Sequence, residues 1–99
     1  MLNIEGKIKR LQEIQNKELA IYKNKNEKYG DSFSLTVQLY GLTAALTRIS
    51  DKFRRLEHLI LKNELEENME IEESIIDTLT DMANYCNMTI MEIEVMLRK

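Results

Sequence analysis

Apolar residues recur along this chain at helical spacing. Ile4, Ile8, Leu11, Ile14 and Ile21 predict an amphipathic helix from about Ile4 to about Glu27. Lys28-Tyr29-Gly30-Asp31-Ser32 then breaks the pattern. Gly30 suits the left-handed conformation that closes a helix, and Asp31 or Ser32 suits the cap of the next one. From about Phe33 to Lys62 the series Leu35, Leu39, Leu42, Leu46, Ile49, Phe53, Leu56, Ile60 alternates steps of four and three, a coiled-coil-like seam. Asn63 to Glu70 is acidic and polar and reads as a turn. A third helix is predicted from about Ile71 to Leu97, with the seam Ile75, Leu79, Met82, Cys86, Thr89, Ile93, Met96. Cys86 lies on that seam, where a lone cysteine serves as a small buried hydrophobe.

Two matched seams joined by a short polar turn imply an antiparallel helical hairpin. With the turn centred near Glu66, residues facing each other have numbers totalling about 132. The stripes opposite the seams are informative under that register. On the second helix the stripe is Val37, Gly41, Ala44, Arg48, Asp51, Arg55, His58. On the third it is Asp77, Asp81, Asn84, Met88, Met91, Val95. Small and apolar members lie level with one another, and so do the charged ones. The hairpin therefore has a second sticky face at one end, which the first helix helps to cover, and a charged cluster at the other. Glycine costs a helix interior about 1 kcal/mol relative to alanine, so Gly41 is expected at a close helix approach. Three helices of this size leave apolar surface over. The expected fold is thus all-α: a single three-helix domain over residues 1–99 with a long antiparallel hairpin, assembled as a homo-oligomer, at least a dimer, into a larger bundle. A monomeric three-helix bundle is the alternative.

Composition narrows the function classes. The net charge is −3 with acids and bases intermixed, so there is no basic footprint for duplex nucleic acid. No apolar run approaches the roughly 18 residues of a membrane span, and the charged amphipathic N-terminus is not a signal peptide. A single cysteine makes no internal disulfide, and the cytosol is the expected compartment.

Candidate chemistry lies in the charged half of the hairpin. Glu73, Asp77 and Asp81 form a row along one face of the third helix, and the register brings Asp51 near Asp81. Mg²⁺ favours one or two such carboxylates together with waters and substrate phosphates. Arg48, Lys52 and Arg55 fall in the same zone, and arginine forks suit phosphate oxygens. Acids for a metal beside cations for phosphates match a nucleotide polyphosphate site. The plainer reading is salt bridging, Arg55 to Asp77 and Arg48 to Asp81. His58, at the wet end of its stripe, reads as a surface residue.

Three segments also carry a family resemblance. Lys25-Asn26-Glu27-Lys28-Tyr29-Gly30-Asp31-Ser32 is similar to the K-N-x-x-Y-G-x-S element of the nucleotide modification associated domain 1 family. The segment from Arg48 to Leu56 (RISDKFRRL) resembles that family's R-x-x-D-K-x-x-R-L element. The segment from Glu73 to Tyr85 (ESIIDTLTDMANY) resembles E-S-x-x-D-T-L-x-D-L-A-N-Y. They lie in the family's order and span about residues 20 to 93. The resemblance implies a protein of phage or prophage type acting in the cytoplasm of a bacterial host on nucleotides linked to modified DNA bases. It also implies a relation to the all-α MazG-like and dimeric dUTPase pyrophosphohydrolases. Those cut a nucleoside triphosphate to a monophosphate and pyrophosphate, with Mg²⁺ held by E-x-x-E and E-x-x-D pairs.

On that reading Asp51, Asp77 and Asp81 hold Mg²⁺, and Glu73 adds a ligand or activates water. Arg48, Lys52 and Arg55 hold phosphates, with Asn84 a further substrate contact. Lys25 would reach a phosphate and Tyr29 a base or sugar. Both precede Asp51 by a long stretch of helix, about 20–30 Å at 1.5 Å per residue, so they are expected to serve a second subunit's cluster. The chain departs from the pyrophosphohydrolase pattern at two positions. Thr78 stands where a Glu is expected, with Asp77 one residue earlier, and Arg54 stands in place of the second helix-borne Glu beyond Asp51. Besides a Mg²⁺-dependent pyrophosphohydrolase, a nucleotide-sequestering oligomer without catalysis and a purely structural helical adaptor are the alternatives.

Overall fold

The computed structural model describes residues 3–66 and 68–98. Its regular structure is entirely helical: α1 (Ile4–Tyr29), α2 (Ser32–Tyr40), α3 (Leu42–Glu66) and α4 (Met69–Leu97). The all-α reading holds, but four helices replace the expected three. Among the described residues no helix is long and apolar enough to cross a membrane. The chain divides into two compact units, Met1–Gly30 and Asp31–Lys99.

The first unit is α1. The Asn3 side chain accepts a hydrogen bond from the Gly6 N–H at 2.8 Å and caps the helix, and Glu5 and Lys28 complement the dipole at its two ends. Gly30, at φ 68° and ψ −170°, stops it in a region essentially reserved for glycine. None of its residues is fully buried, and Ile4 and Ile8 remain 71% and 62% exposed.

In the second unit α3 and α4 form the expected hairpin, and α2 folds against both. Asp31 occupies the N-cap position of α2, but its side chain makes no capping bond. The Asn68 side chain caps α4 by accepting from the Ile71 N–H at 2.9 Å. The turn is shorter than the expected Asn63–Glu70 stretch, since α3 runs to Glu66 and α4 begins at Met69; Glu67 lies outside the described residues.

The predicted second helix is broken at Gly41. This residue has φ 76° and ψ −170°, and its N–H still donates to the Val37 carbonyl at 2.7 Å before α3 starts. A Cβ built there meets nothing within 4 Å. The expected close helix approach is therefore absent, and the glycine is required by backbone torsion instead. Two contacts seat the short α2: Val37 is fully buried, and the Phe33 ring lies 5.5 Å from that of Tyr85 on α4, tilted by 55°.

The seam is also rotated from the expected one. Ala45, Ile49, Lys52, Leu56 and Leu59 of α3 are buried or half-buried, as are Ile71, Ile75, Thr78, Met82 and Tyr85 of α4. Leu39, Leu46 and Phe53 of the predicted seam are 76%, 66% and 53% exposed, and Leu79 and Cys86 are exposed too. Cys86 is thus not the buried hydrophobe its spacing suggested. The physical reason is the width of the apolar arc: one neighbouring helix covers one edge of it and leaves the other open.

Candidate functional site

The charged half of the hairpin is held together by two contacts across it. Lys52 Nζ lies 3.3 Å from Asp81 Oδ2, with both side chains more than two-thirds buried. One turn further along α3, Arg55 Nε donates to Thr78 Oγ1 at 3.3 Å. Both pairs have numbers totalling 133, close to the register read from the turn. Lys52 is half-buried on the side of α3 that meets α4, where its ammonium reaches the Asp81 carboxylate.

Thr78 is 2% exposed, and its hydroxyl donates to the Ser74 carbonyl at 2.7 Å while accepting from Arg55. The residue standing where the pyrophosphohydrolase pattern has a carboxylate is thus an internal hydroxyl that orients a guanidinium. The other departure behaves similarly: Arg54 pairs with Asp51 at 3.1 Å along the outside of α3. Sequence reasoning paired Arg55 with Asp77 and Arg48 with Asp81. Instead Lys52 takes Asp81 and Arg55 takes Thr78.

Of the remaining candidates, Glu73 and Asp77 are exposed, one helical turn apart on α4, and among the described residues neither makes an ion pair. Asn84 is half-buried one turn beyond Asp81. Lys25 and Tyr29 sit on the last two turns of α1, in the first unit, and Tyr29 is 72% exposed. His58 is exposed, as expected. Among the described residues no three His, Cys, Asp or Glu side chains are grouped to hold a metal ion. Mg²⁺ does not require such a group, because it keeps several waters and takes one or two carboxylates alongside substrate phosphates. The Asp77–Asp81 pair, at i and i+4 on one helix face, fits that demand.

Beside the cluster, at the α2–α3 junction, lies a concave pocket of about 520 Å³. Thr36 and Tyr40 of α2 line it together with Thr43, Thr47, Arg48 and Asp51 of α3. Arg48 and Asp51 border the pocket, and Asp51 pairs there with Arg54 on the exposed side of α3. The four hydroxyl-bearing residues of the pocket escaped the sequence reading. Their signal was available: positions 36, 40, 43 and 47 step by four, three and four, a polar and aromatic stripe at helical spacing.

The fold and these contacts define an all-helical hairpin domain with a mixed cation and acid cluster on one half and an open pocket beside it. The model of the nucleotide modification associated domain 1 family matches residues 25–93, and the chain belongs to that family. No curated protein and no solved structure matches it.

Proposed function

We propose that this chain binds a nucleotide polyphosphate on the charged half of the α3–α4 hairpin and acts as a Mg²⁺-dependent pyrophosphohydrolase-like protein. The observation that carries the reading is the Lys52–Asp81 pair, a cation of α3 and an acid of α4 meeting across the hairpin at 3.3 Å, with Arg48 and Arg55 on α3 and Asp77 on α4 one turn away along their helices. The cations would take phosphate oxygens, with Arg55 oriented by Thr78. Asp77 and Asp81 would hold Mg²⁺, whose chemistry is to neutralise phosphate charge and polarise the scissile bond, and Asp51 would join them only on leaving Arg54. Glu73, one turn from Asp77, would position water. Asn84 would contribute a substrate contact, and Lys25 and Tyr29 would serve the cluster of a second subunit, Lys25 at a phosphate and Tyr29 at a base or sugar.

A second reading, nucleotide sequestration without turnover, is favoured by one observation. Thr78 and Arg54 stand at acidic positions of the pyrophosphohydrolase pattern, and both engage the cation and acid set from within. Incubation with nucleoside triphosphates and Mg²⁺, followed by chromatography of products, separates the two. Pyrophosphate release abolished by Asp77→Asn and Asp81→Asn supports turnover, whereas tight binding without product supports sequestration. Absence of both binding and product overturns the reading as a whole.

We also propose that the chain works as a homo-oligomer. Leu35, Leu39, Leu46 and Phe53 form an exposed apolar row along α2 and α3, of the kind that marks an interface in soluble proteins.

A further inference from the structure

We propose that the pocket at the α2–α3 junction is the nucleoside end of the site, with the ring of Tyr40 stacked on the base. This rests on the reading of the cation row as a phosphate site and extends it by assigning where the base lies. The pocket owes its shape to Gly41. Positions 36, 40, 43, 47 and 51 share one face, and on a straight helix that face would be convex; the break at Gly41 turns α2 against α3 and makes it concave. The pocket is an open depression of about 520 Å³ rather than an enclosed cavity, so a ligand there would keep one side in solvent.

The lining, which also includes Ala44, joins apolar surface to hydroxyls and suits a flat base carrying a polar sugar. Tyr40 is 73% exposed, so its ring offers an open aromatic face at the pocket edge. Base-on-aromatic stacking tolerates any base, because each has a π-face. The Thr36 and Thr47 hydroxyls donate to the Ser32 and Thr43 carbonyls, each at 2.8 Å. Their donors are therefore spent and their lone pairs remain as acceptors. The Thr43 hydroxyl makes no hydrogen bond among the described residues. Two hydroxyls left as acceptors, beside the Thr43 and Tyr40 hydroxyls that can also donate, suit sugar hydroxyls or the polar edge of a base.

Polarity along α3 gives the direction. Arg48 and Asp51 line the α3 end of the pocket, Asp51 already paired with Arg54, and Lys52 and Arg55 follow at successive turns, so an anionic tail leaving past Arg48 would run toward these cations. The base lies toward α2 and the terminal phosphates toward the α3–α4 contact.

Isothermal titration calorimetry of the full chain with Mg²⁺ tests this, using common ribo- and deoxyribonucleoside triphosphates alongside inorganic tripolyphosphate. At least one nucleotide is expected to bind about tenfold or more tighter than tripolyphosphate, the margin a stacked base supplies. Tyr40→Ala is expected to erase that margin without changing tripolyphosphate affinity, and Tyr40→Phe to keep it. Thr43→Val, on the other helix, is expected to narrow it. A circular dichroism melt checks that each variant is folded. Equal affinity for nucleotides and tripolyphosphate, or an equal loss for both in Tyr40→Ala, overturns the pocket assignment and leaves the phosphate reading standing. Binding of neither overturns both.

Discussion

Replacing Gly41 with alanine tests the junction on which the pocket depends. A Cβ at this position has open space around it, so no clash enters the estimate. If the bend is kept, the cost is torsional: a non-glycine residue at φ 76° and ψ −170° is strained by about 1–3 kcal/mol. The chain has one way around that strain, which is to run α2 and α3 together as a single helix. Alanine gains about 1 kcal/mol over glycine there. Straightening, however, withdraws Val37, which is 0% exposed and whose burial is worth about 1.5–3 kcal/mol. It also separates the Phe33 and Tyr85 rings, a contact worth about 0.5–1.5 kcal/mol. Either route leaves the variant about 1–3 kcal/mol less stable, so the melting midpoint should fall by at least about 4 °C in a domain of this size. Near-UV circular dichroism distinguishes the routes, since straightening adds only Gly41 to the helical residues but separates Phe33 from Tyr85. Unchanged aromatic ellipticity means a strained bend; its loss means a straightened chain, and nucleotide affinity should then drop to that of tripolyphosphate. A midpoint within about 1 °C of the parent, with unchanged ellipticity, would refute the assignment of a glycine-only backbone at the junction.

The remaining predictions concern the hairpin and its open face. Asp81→Asn removes the bridge to Lys52, whose side chains are 29% and 27% exposed for Lys and Asp, so urea unfolding should show a loss below about 1 kcal/mol. Mg²⁺-dependent nucleotide binding should nevertheless disappear, and its survival would remove Asp81 from the metal set. Thr78→Val keeps the shape of a buried side chain but deprives Arg55 of its acceptor, and should cost about 0.5–1.5 kcal/mol in the same assay. A variant as stable as the parent would mean that the Arg55–Thr78 bond contributes nothing. Phe53→Asp places a charge on the exposed apolar row, so light scattering should find a smaller species than for the parent chain; a monomeric parent would sink the assembly proposal.

The hairpin was legible in the sequence because two helical seams flank a polar turn, and that arrangement leaves little freedom in register. The two cross-hairpin pairs totalling 133 fall one residue from the expectation of about 132. The break at Gly41 was hidden by the same regularity. Leu39, Leu42 and Leu46 carry the four-three rhythm straight across it, and a lone glycine inside a helical pattern is tolerated for about 1 kcal/mol. The rotation of the seam was hidden for a related reason. The inward series of α3, Ala45, Ile49, Lys52, Leu56 and Leu59, keeps the same rhythm but contains a lysine, so an apolar pattern selects the neighbouring all-apolar series. Lys52 faces inward because Asp81 is there to meet it. Local pattern and packing part company at a residue to which a phosphate contact is proposed, and functional positions are where such conflicts are expected.

The candidate site was legible as a set of charges but not as a set of pairs, and the pairs bear on whether hydrolysis is open to it. Asp51–Arg54 is exposed and Lys52–Asp81 only partly buried, so each is worth little and can be exchanged. On the proposed reading a phosphate would compete with the carboxylates for Lys52 or Arg54, and Mg²⁺ would compete for Asp51 or Asp81, at small cost in stability. Thr78 is different. It is buried, and its hydroxyl is committed both to its own helix and to Arg55, so no exchange frees it for a metal. What it supplies is a guanidinium held in one orientation before any ligand arrives, which favours phosphate recognition. Turnover, where it occurs, therefore has to draw its carboxylates from the exchangeable Asp51 and Asp81 and from the exposed Asp77 and Glu73, and position 78 contributes through Arg55 alone.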